Sequence, residues 1–153
     1  MHYFLDGYNV IRSTDWLAAG PLRDQRDRLL RFIETKRPQG SPSNRVTVVF
    51  DGRVDVSSPR HAGETEVLFS QGPDADALIK RRVDELSNPR EAVVVTDDQA
   101  IRKWVRGVGA RVMSCGDFLR AGAEPRRRGG PVGVDPETAR EINEDLPDSW
   151  KAE

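Results

Sequence analysis

Short runs of consecutive apolar residues alternate along this chain with longer stretches in which apolar residues recur every three or four positions. Residues 2–5, 46–50, 66–69, 92–95 and 111–113 form the first class. Two of them, Val46-Thr47-Val48-Val49-Phe50 and Ala92-Val93-Val94-Val95, are nearly continuous in valine. That is the composition of strands covered on both faces. In the second class, Leu22, Leu29, Leu30 and Ile33 mark one face of a helix that starts beside Pro21 and runs to about Arg37. Ala75, Leu78, Ile79, Val83 and Leu86 mark a second helix, and Ile101, Trp104 and Val105 a third. A shorter fourth is expected near Asp117, with Ser114 as its cap.

Strands that alternate with helices form a parallel sheet with helices on both faces, joined by right-handed crossovers. The expected fold is therefore a three-layer α/β domain around a mainly parallel five-stranded sheet. Residues 38–45 and 52–63 are rich in Pro, Ser and Gly and read as loops. From residue 123 the pattern changes: Arg126-Arg127-Arg128-Gly129-Gly130-Pro131 reads as a linker, and only residues 136–145 have the makings of a short helix. The expected organisation is one domain over residues 1–122 and a charged extension over residues 123–153.

With 153 residues the chain has the size of a single domain with a real core. Apolar residues make up 37% and charged residues 32%, which excludes a disordered or membrane-embedded chain. No basic segment or long apolar segment precedes the first strand, so a cytoplasmic location is expected. Cys115 is the only cysteine, which rules out an internal disulfide and reads as a small buried apolar residue. The net charge of −1 supplies no overall attraction for nucleic acid, so RNA contact has to come from local basic patches or a bound cation. Of the 24 basic residues 20 are arginine, the better residue for bidentate phosphate contacts.

In open α/β sheets the functional crevice lies beyond the carboxyl ends of the strands. Asp6-Gly7-Tyr8-Asn9 follows the first strand, Asp51-Gly52-Arg53 the second, Gly72-Pro73-Asp74-Ala75-Asp76 the third and Thr96-Asp97-Asp98 the fourth. Taken singly, Asp51, Asp74 and Asp97 are ordinary turn or cap residues. Together they pose an electrostatic problem. Two carboxylates about 4 Å apart repel by about 1 kcal/mol in water and about 4 kcal/mol at an effective dielectric of 20. Several in one crevice call for a cation, and a hard divalent ion with oxygen ligands answers that need. No Ser/His/Asp or Cys/His set competes: His2 opens a strand and His61 lies in a loop, each without an orienting partner in the sequence.

Phe4-Leu5-Asp6-Gly7-Tyr8-Asn9-Val10-Ile11 resembles the opening of the YacP-like branch of NYN domains, which are PIN-like ribonucleases. Val48-Val49-Phe50-Asp51, then Glu66-Val67-Leu68-Phe69-Ser70 with Gly72 and Ala75-Asp76, and Val94-Val95-Thr96-Asp97-Asp98 resemble its other blocks in order, so the likeness covers residues 3 to about 120. The resemblance implies a sheet with the first strand at its centre, bringing Asp6 beside the turn that holds Asp98 and near Asp51. It also implies that Asp6, Asn9 and Asp76 belong to the catalytic core. Asn9 matches the family's amide, which orients a carboxylate or a water without adding charge. Asp98 matches the usual acidic position, Asp97 replaces what is often Ser, and Asp74 stands where a small polar residue is expected, so N-capping is its reading.

The resulting expectation is an endoribonuclease that cuts single-stranded RNA with Mg²⁺ or Mn²⁺. Asp6, Asp76 and Asp98 are expected to ligate the metal, Asp51 to support it directly or through another ligand, and Asn9 to orient the site. Arg12, Arg53, Arg81 and Arg102 are candidate RNA contacts, with Arg60, Arg82 and Lys103 as further flanking charges and Arg126 to Arg128 as candidates for ribosomal RNA. Tyr8 has two readings, stacking on a base or packing against the first helix. The expected partner is RNA, with the ribosome as a candidate setting and no membrane. Two rivals stand beside this reading. One is a non-catalytic RNA- or ribosome-binding module. The other is a metal-dependent phosphatase, which lacks the Asp-x-Asp nucleophile pattern after the first strand.

Overall fold

The apolar runs become the strands of one sheet. The computed structural model describes residues 1–52, 61–71 and 74–123. The strands are β1 (His2–Asp6), β2 (Arg45–Phe50), β3 (His61–Ala62), β4 (Thr65–Phe69), β5 (Ala92–Val95) and β6 (Arg111–Met113). Their spatial order is β3-β4-β2-β1-β5-β6, which places β1 between the two valine-rich strands. Five strands are parallel, and β3 is a two-residue edge strand antiparallel to β4. The sequence gives no period-2 signal for so short a strand, and it was absent from the expected five.

The helices are α1 (Gly7–Arg12), α2 (Asp15–Ala18), α3 (Leu22–Lys36), α4 (Ala75–Asp84), α5 (Gln99–Gly107) and α6 (Cys115–Ala123). They divide between the two faces because neighbouring strand residues point to opposite sides. Leu5, Val48, Phe50 and Val95 pack in one buried cluster with Ile11, Leu29, Ile33 and Phe118 of α1, α3 and α6. Phe4, Val49 and Val94 pack in the other with Ile79, Val83, Ile101 and Val105 of α4 and α5. The layers expected from the pattern are those observed.

Several boundaries moved for identifiable reasons. Pro21 is the N-cap of α3 rather than its first residue, and the helix ends at Arg37, which adopts a left-handed conformation at φ 48°. Ser114 caps the last helix as expected, its Oγ accepting from the amide of Asp117 at 3.0 Å. Residues 7–18, which carry no extended period, form α1 and α2, of 6 and 4 residues, and tertiary burial of Val10, Ile11 and Leu17 holds them. The expected linker and tail helix, residues 126–145, lie outside the described residues.

Candidate acidic site at the carboxyl edge of the sheet

Asp6 is both the last residue of β1 and the N-cap of α1, and its carboxylate accepts from the amide of Asn9 at 3.4 Å. The strand therefore turns into a helix with no loop between them. Gly7 makes this turn feasible: a Cβ there would come within 2.4 Å of the Phe50 ring. The Asp6-Gly7 pair is thus a close helix-to-sheet approach, whereas Gly52, at φ 118°, is a conformational glycine of the kind usual in turns. Asp6 is only 7% exposed, which is a large desolvation for a carboxylate.

The second and third carboxylates come from neighbouring strands. Asp51 follows β2, and its Oδ1 accepts from the amide of Ala75 at 2.6 Å, tying that turn to the start of α4. Asp74 caps α4 by accepting from the amide of Ala77 at 2.9 Å, the role expected for it. Asp76, half-buried in the first turn of α4, makes no capping bond, and among the described residues its carboxylate accepts no hydrogen bond. On the other side of β1, Asp98 caps α5 by accepting from the amide of Ile101 at 3.1 Å. Asp97 is turned away to accept from the amide of Cys115 at 3.0 Å, so it fastens α6 to the β5 turn.

Asn9 is the junction of this edge. Its Oδ1 accepts from the amide of Asp97 at 2.8 Å, from the Thr96 hydroxyl at 3.4 Å and from the Cys115 thiol at 3.2 Å. Because a backbone N–H fixes the amide oxygen on that side, the amide NH₂ is the group left to face other acceptors. The Thr96 hydroxyl also accepts from the amide of Asp98 at 3.1 Å, locking the β5 turn in a second place. Cys115, expected to be a buried apolar residue, is fully buried and contributes a hydrogen bond as well. Burial, with Asp97 adding its charge, pushes its thiol well above the ordinary range, which keeps it neutral.

The carboxylates act on one another. Burial raises Asp6 to about 6, and the charges of Asp76 and Asp51 add to the rise while the Asn9 amide and Arg12 oppose it. Asp76 is raised by burial first, then by Asp74, Asp98 and Asp51, with Lys80 opposing. Asp6, Asp51, Asp76 and Asp98 therefore share one field, although they come from four separate segments of the chain. Among the described residues no three His, Cys, Asp or Glu side chains form a ready-made cage for a metal ion. The donor set is all oxygen, anionic and mutually repelling, which fits a hard cation held through one or two carboxylates, water and a substrate phosphate.

The basic residues separate into those near this edge and those spent elsewhere. Arg12 is exposed and its charge reaches Asp6. Arg102 donates to the carbonyl of Thr96 at 2.9 Å and so is tied to the β5 turn. Arg81 and Lys103 are exposed on α4 and α5, and Arg82 sits 4.0 Å from Glu66, on the amino side of the sheet. Arg53 and Arg60 lie outside the described residues. Tyr8 packs rather than standing free: its ring lies 5.0 Å from that of Phe50, and its hydroxyl accepts from Arg26 Nη1 at 3.0 Å. The sequence reading did not single out Arg26, because a basic residue on a helix usually lies on its wet face.

The fold has close counterparts among solved structures. A crystal structure of Rae1 (YacP) from Bacillus subtilis aligns with a TM-score of 0.67 at 24% identity, covering 94% of this chain and 78% of that one. A crystal structure of the W164L mutant of the same protein gives 0.65 at 24% identity and covers 99% of both chains. No curated protein matches the sequence. The family model described as YacP-like NYN domain matches residues 3–129, which is most of the chain. The chain therefore belongs to the YacP-like NYN domain family, a PIN-like, nuclease-type group.

Proposed function

We propose that this protein is a divalent-metal-dependent endoribonuclease that cuts single-stranded RNA in the cytoplasm. The observation that carries the reading is the gathering of Asp6, Asp51, Asp76 and Asp98 at one edge of the sheet, where burial raises Asp6 to about 6 and the charges of Asp76 and Asp51 add to the rise. Carboxylates gathered at such a cost mark function rather than stability. Asp6 and Asp76 would hold the cation, Asp98 would complete the set with the oxygen not used in capping, and Asp51 would support it from the α4 turn. When bound, Mg²⁺ or Mn²⁺ supplies activation of water and neutralisation of the charge that develops on the scissile phosphate.

The chain's own residues do the positioning. Asn9 fixes the β5 turn, and hence Asp98, relative to Asp6 through the bonds to Asp97 and Thr96. Asp51 fixes the start of α4, and hence Asp76, through the Ala75 amide. Arg12, Arg81 and Arg102 are the described arginines proposed to contact RNA phosphates, and Arg53 is proposed with them. The net charge of −1 favours RNA delivered by a partner over capture from solution, and the ribosome is such a partner. Residues 1–122 are proposed as the nuclease domain, with 123–153 as an extension. Among the described residues no helix is long and apolar enough to cross a membrane.

The test is cleavage of an end-labelled single-stranded RNA by the purified protein, free and with ribosomes, with Mn²⁺ or with chelator. The expected result is internal cuts that vanish with chelator and in Asp76→Asn, while the circular dichroism of the variant stays native. Undiminished cutting by Asp76→Asn overturns the assignment. RNA binding that ignores chelator, without cleavage in either setting, identifies the non-catalytic module instead.

A further inference from the structure

Arg26, in the second turn of α3, is 7% exposed, and its Nε is buried without a hydrogen-bond partner among the described residues. The guanidinium has two neighbours of note, neither of them anionic: the Tyr8 hydroxyl, 3.0 Å from Nη1, and the Phe69 ring, whose centroid is 5.8 Å away. No carboxylate pairs with it among the described residues. Other partly buried guanidiniums are spent. Arg28 donates to the carbonyls of Trp16, Leu17 and Ala19, Arg102 to that of Thr96, Arg82 pairs with Glu66 and Arg120 with Asp117.

A guanidinium stays charged in a protein, so a buried one without an anion recovers only part of its desolvation cost, here from the Tyr8 hydroxyl and the Phe69 ring. Natural proteins pair such charges, and an incomplete pair points to a partner that arrives from outside. The location says what arrives. Tyr8 is two residues beyond Asp6, its ring packs on Phe50 immediately before Asp51, and Phe69 precedes Ser70, whose hydroxyl accepts from the Gly52 amide at 3.1 Å. Arg26 is thus packed against the residues that support the Asp6 and Asp51 turns, on the α3 side of the acidic edge. Among the described residues Nη2 makes no hydrogen bond, and the residue keeps a small exposed portion, 7%. The Tyr8 hydroxyl, which accepts from Nη1, still has its own proton to give to the same oxygen anion.

We infer that Arg26, together with the Tyr8 hydroxyl, forms a phosphate subsite that grips a phosphodiester of the RNA strand next to the one being cut. The inference rests on the nuclease reading for the identity of the strand. A planar fork beside a hydroxyl suits the two non-bridging oxygens of a phosphodiester. It also answers a problem set by the site itself: the acidic edge repels an RNA backbone, and a cation held beside it in a partly dry setting offsets that repulsion where the strand must lie.

The experiment measures binding of a short fluorescent single-stranded RNA by anisotropy in the cleavage-silent Asp76→Asn protein, with and without Arg26→Met, across a salt series. Loss of one charge-assisted phosphate contact is expected to weaken binding about tenfold. The slope of log affinity against log salt should fall by about 0.7, the single-strand value for one phosphate. Melting temperature should stay level or rise, since an unpaired buried charge has been replaced by an apolar chain of similar length. Unchanged affinity and slope, with a lowered melting temperature, would make Arg26 a structural strut and overturn the subsite. If Arg26→Met does not fold, Arg26→Lys serves: it keeps the charge and loses the fork, so weaker binding at an unchanged slope supports the subsite and unchanged binding overturns it. Inorganic phosphate is titrated alongside. Displacement of RNA only at millimolar phosphate supports a backbone site, whereas tight binding of free phosphate with no effect of Arg26 on RNA overturns it. Because binding is read without cleavage, an inactive wild-type protein would sink the nuclease reading alone.

Discussion

The two ends of the sheet treat their polar residues in opposite ways. At the amino end, His2 Nε2 lies 2.7 Å from the Thr47 hydroxyl, which donates to Glu66 at 2.9 Å, and Glu66 is 4.0 Å from Arg82. The N-terminal ammonium donates to Asn44 at 2.9 Å. These groups complement one another. At the carboxyl end, Asp6 and Asp76 are raised by burial first and then by neighbouring carboxylates. A cavity of about 390 Å³ lies at the amino end, lined by residues that include His2, Thr47 and Glu66. The cavity at the amino end is thus lined by polar groups that satisfy one another, whereas like charge gathers at the end proposed for catalysis. Of the two signals, unbalanced charge is the one with a chemical consequence.

This contrast can be broken in several ways, beginning with the largest effect. Asp76→Asn is expected to lower RNA cleavage by about 10³-fold, since several kcal/mol of charge stabilisation at the phosphate go with the cation. Gel analysis of cut fragments reads it, and a fall of less than tenfold would demote Asp76 to a helix-turn residue. Gly7→Ala is expected to cost about 1–3 kcal/mol in denaturant unfolding through overpacking against Phe50. A neutral result would mean that the ring moves aside freely.

Asp6→Asn should separate stability from activity. The folded-state pKa of Asp6, about 6, lies above the unfolded value of 3.8, so between these values the folded chain holds a proton that the unfolded chain releases. Stability from this group is complete below about pH 4 and is lost as pH rises through about 6. At neutral pH Asp6→Asn should therefore stabilise the metal-free protein by about 1–3 kcal/mol while cleavage falls. Destabilisation at neutral pH would show that the carboxylate is compensated after all. His2 gives the opposite slope at the other end: burial lowers its pKa below 6.5, so its contribution is lost as pH falls through that value. The smallest effect is expected from Thr47→Val, which leaves His2 and Glu66 without their shared partner and should cost about 1 kcal/mol with no change in cleavage. A loss of cleavage there would erase the distinction between the two ends.

The difference in origin between these regions explains how much could be read in the sequence. Strand identity was legible because Val46–Phe50 and Ala92–Val95 are buried on both faces and have to be apolar throughout. Asp6, Asp51, Asp76 and Asp98 were legible as a group because parallel topology sends every strand's carboxyl end to one edge, and the resemblance supplied the strand order. The roles within the group were less visible. That Asp98 and Asp74 both cap helices while Asp76 does not depends on backbone geometry one residue at a time. Asn9 was assigned from the resemblance, but its hold on the Asp97 amide and the Cys115 thiol joins residues about a hundred positions apart. No local spacing carries that information. Arg26 was not legible for the same reason: Tyr8 of α1 and Phe69 of β4, distant in the chain, pack against it. Helices α1 and α2 are too short to carry a period of their own.

The most direct test of the central claim, that these carboxylates tolerate one another through a bound cation, is the melting temperature of wild type and Asp76→Asn with and without Mn²⁺. Mn²⁺ at 100 times its dissociation constant adds about 2.7 kcal/mol of stability, so a rise of several degrees is expected for wild type at about pH 7.5. The rise should shrink sharply at about pH 5, where Asp6 holds a proton, and should be largely absent in Asp76→Asn at either pH. An equal rise in both proteins, or none in wild type even with an uncleavable single-stranded RNA present, would contradict the account.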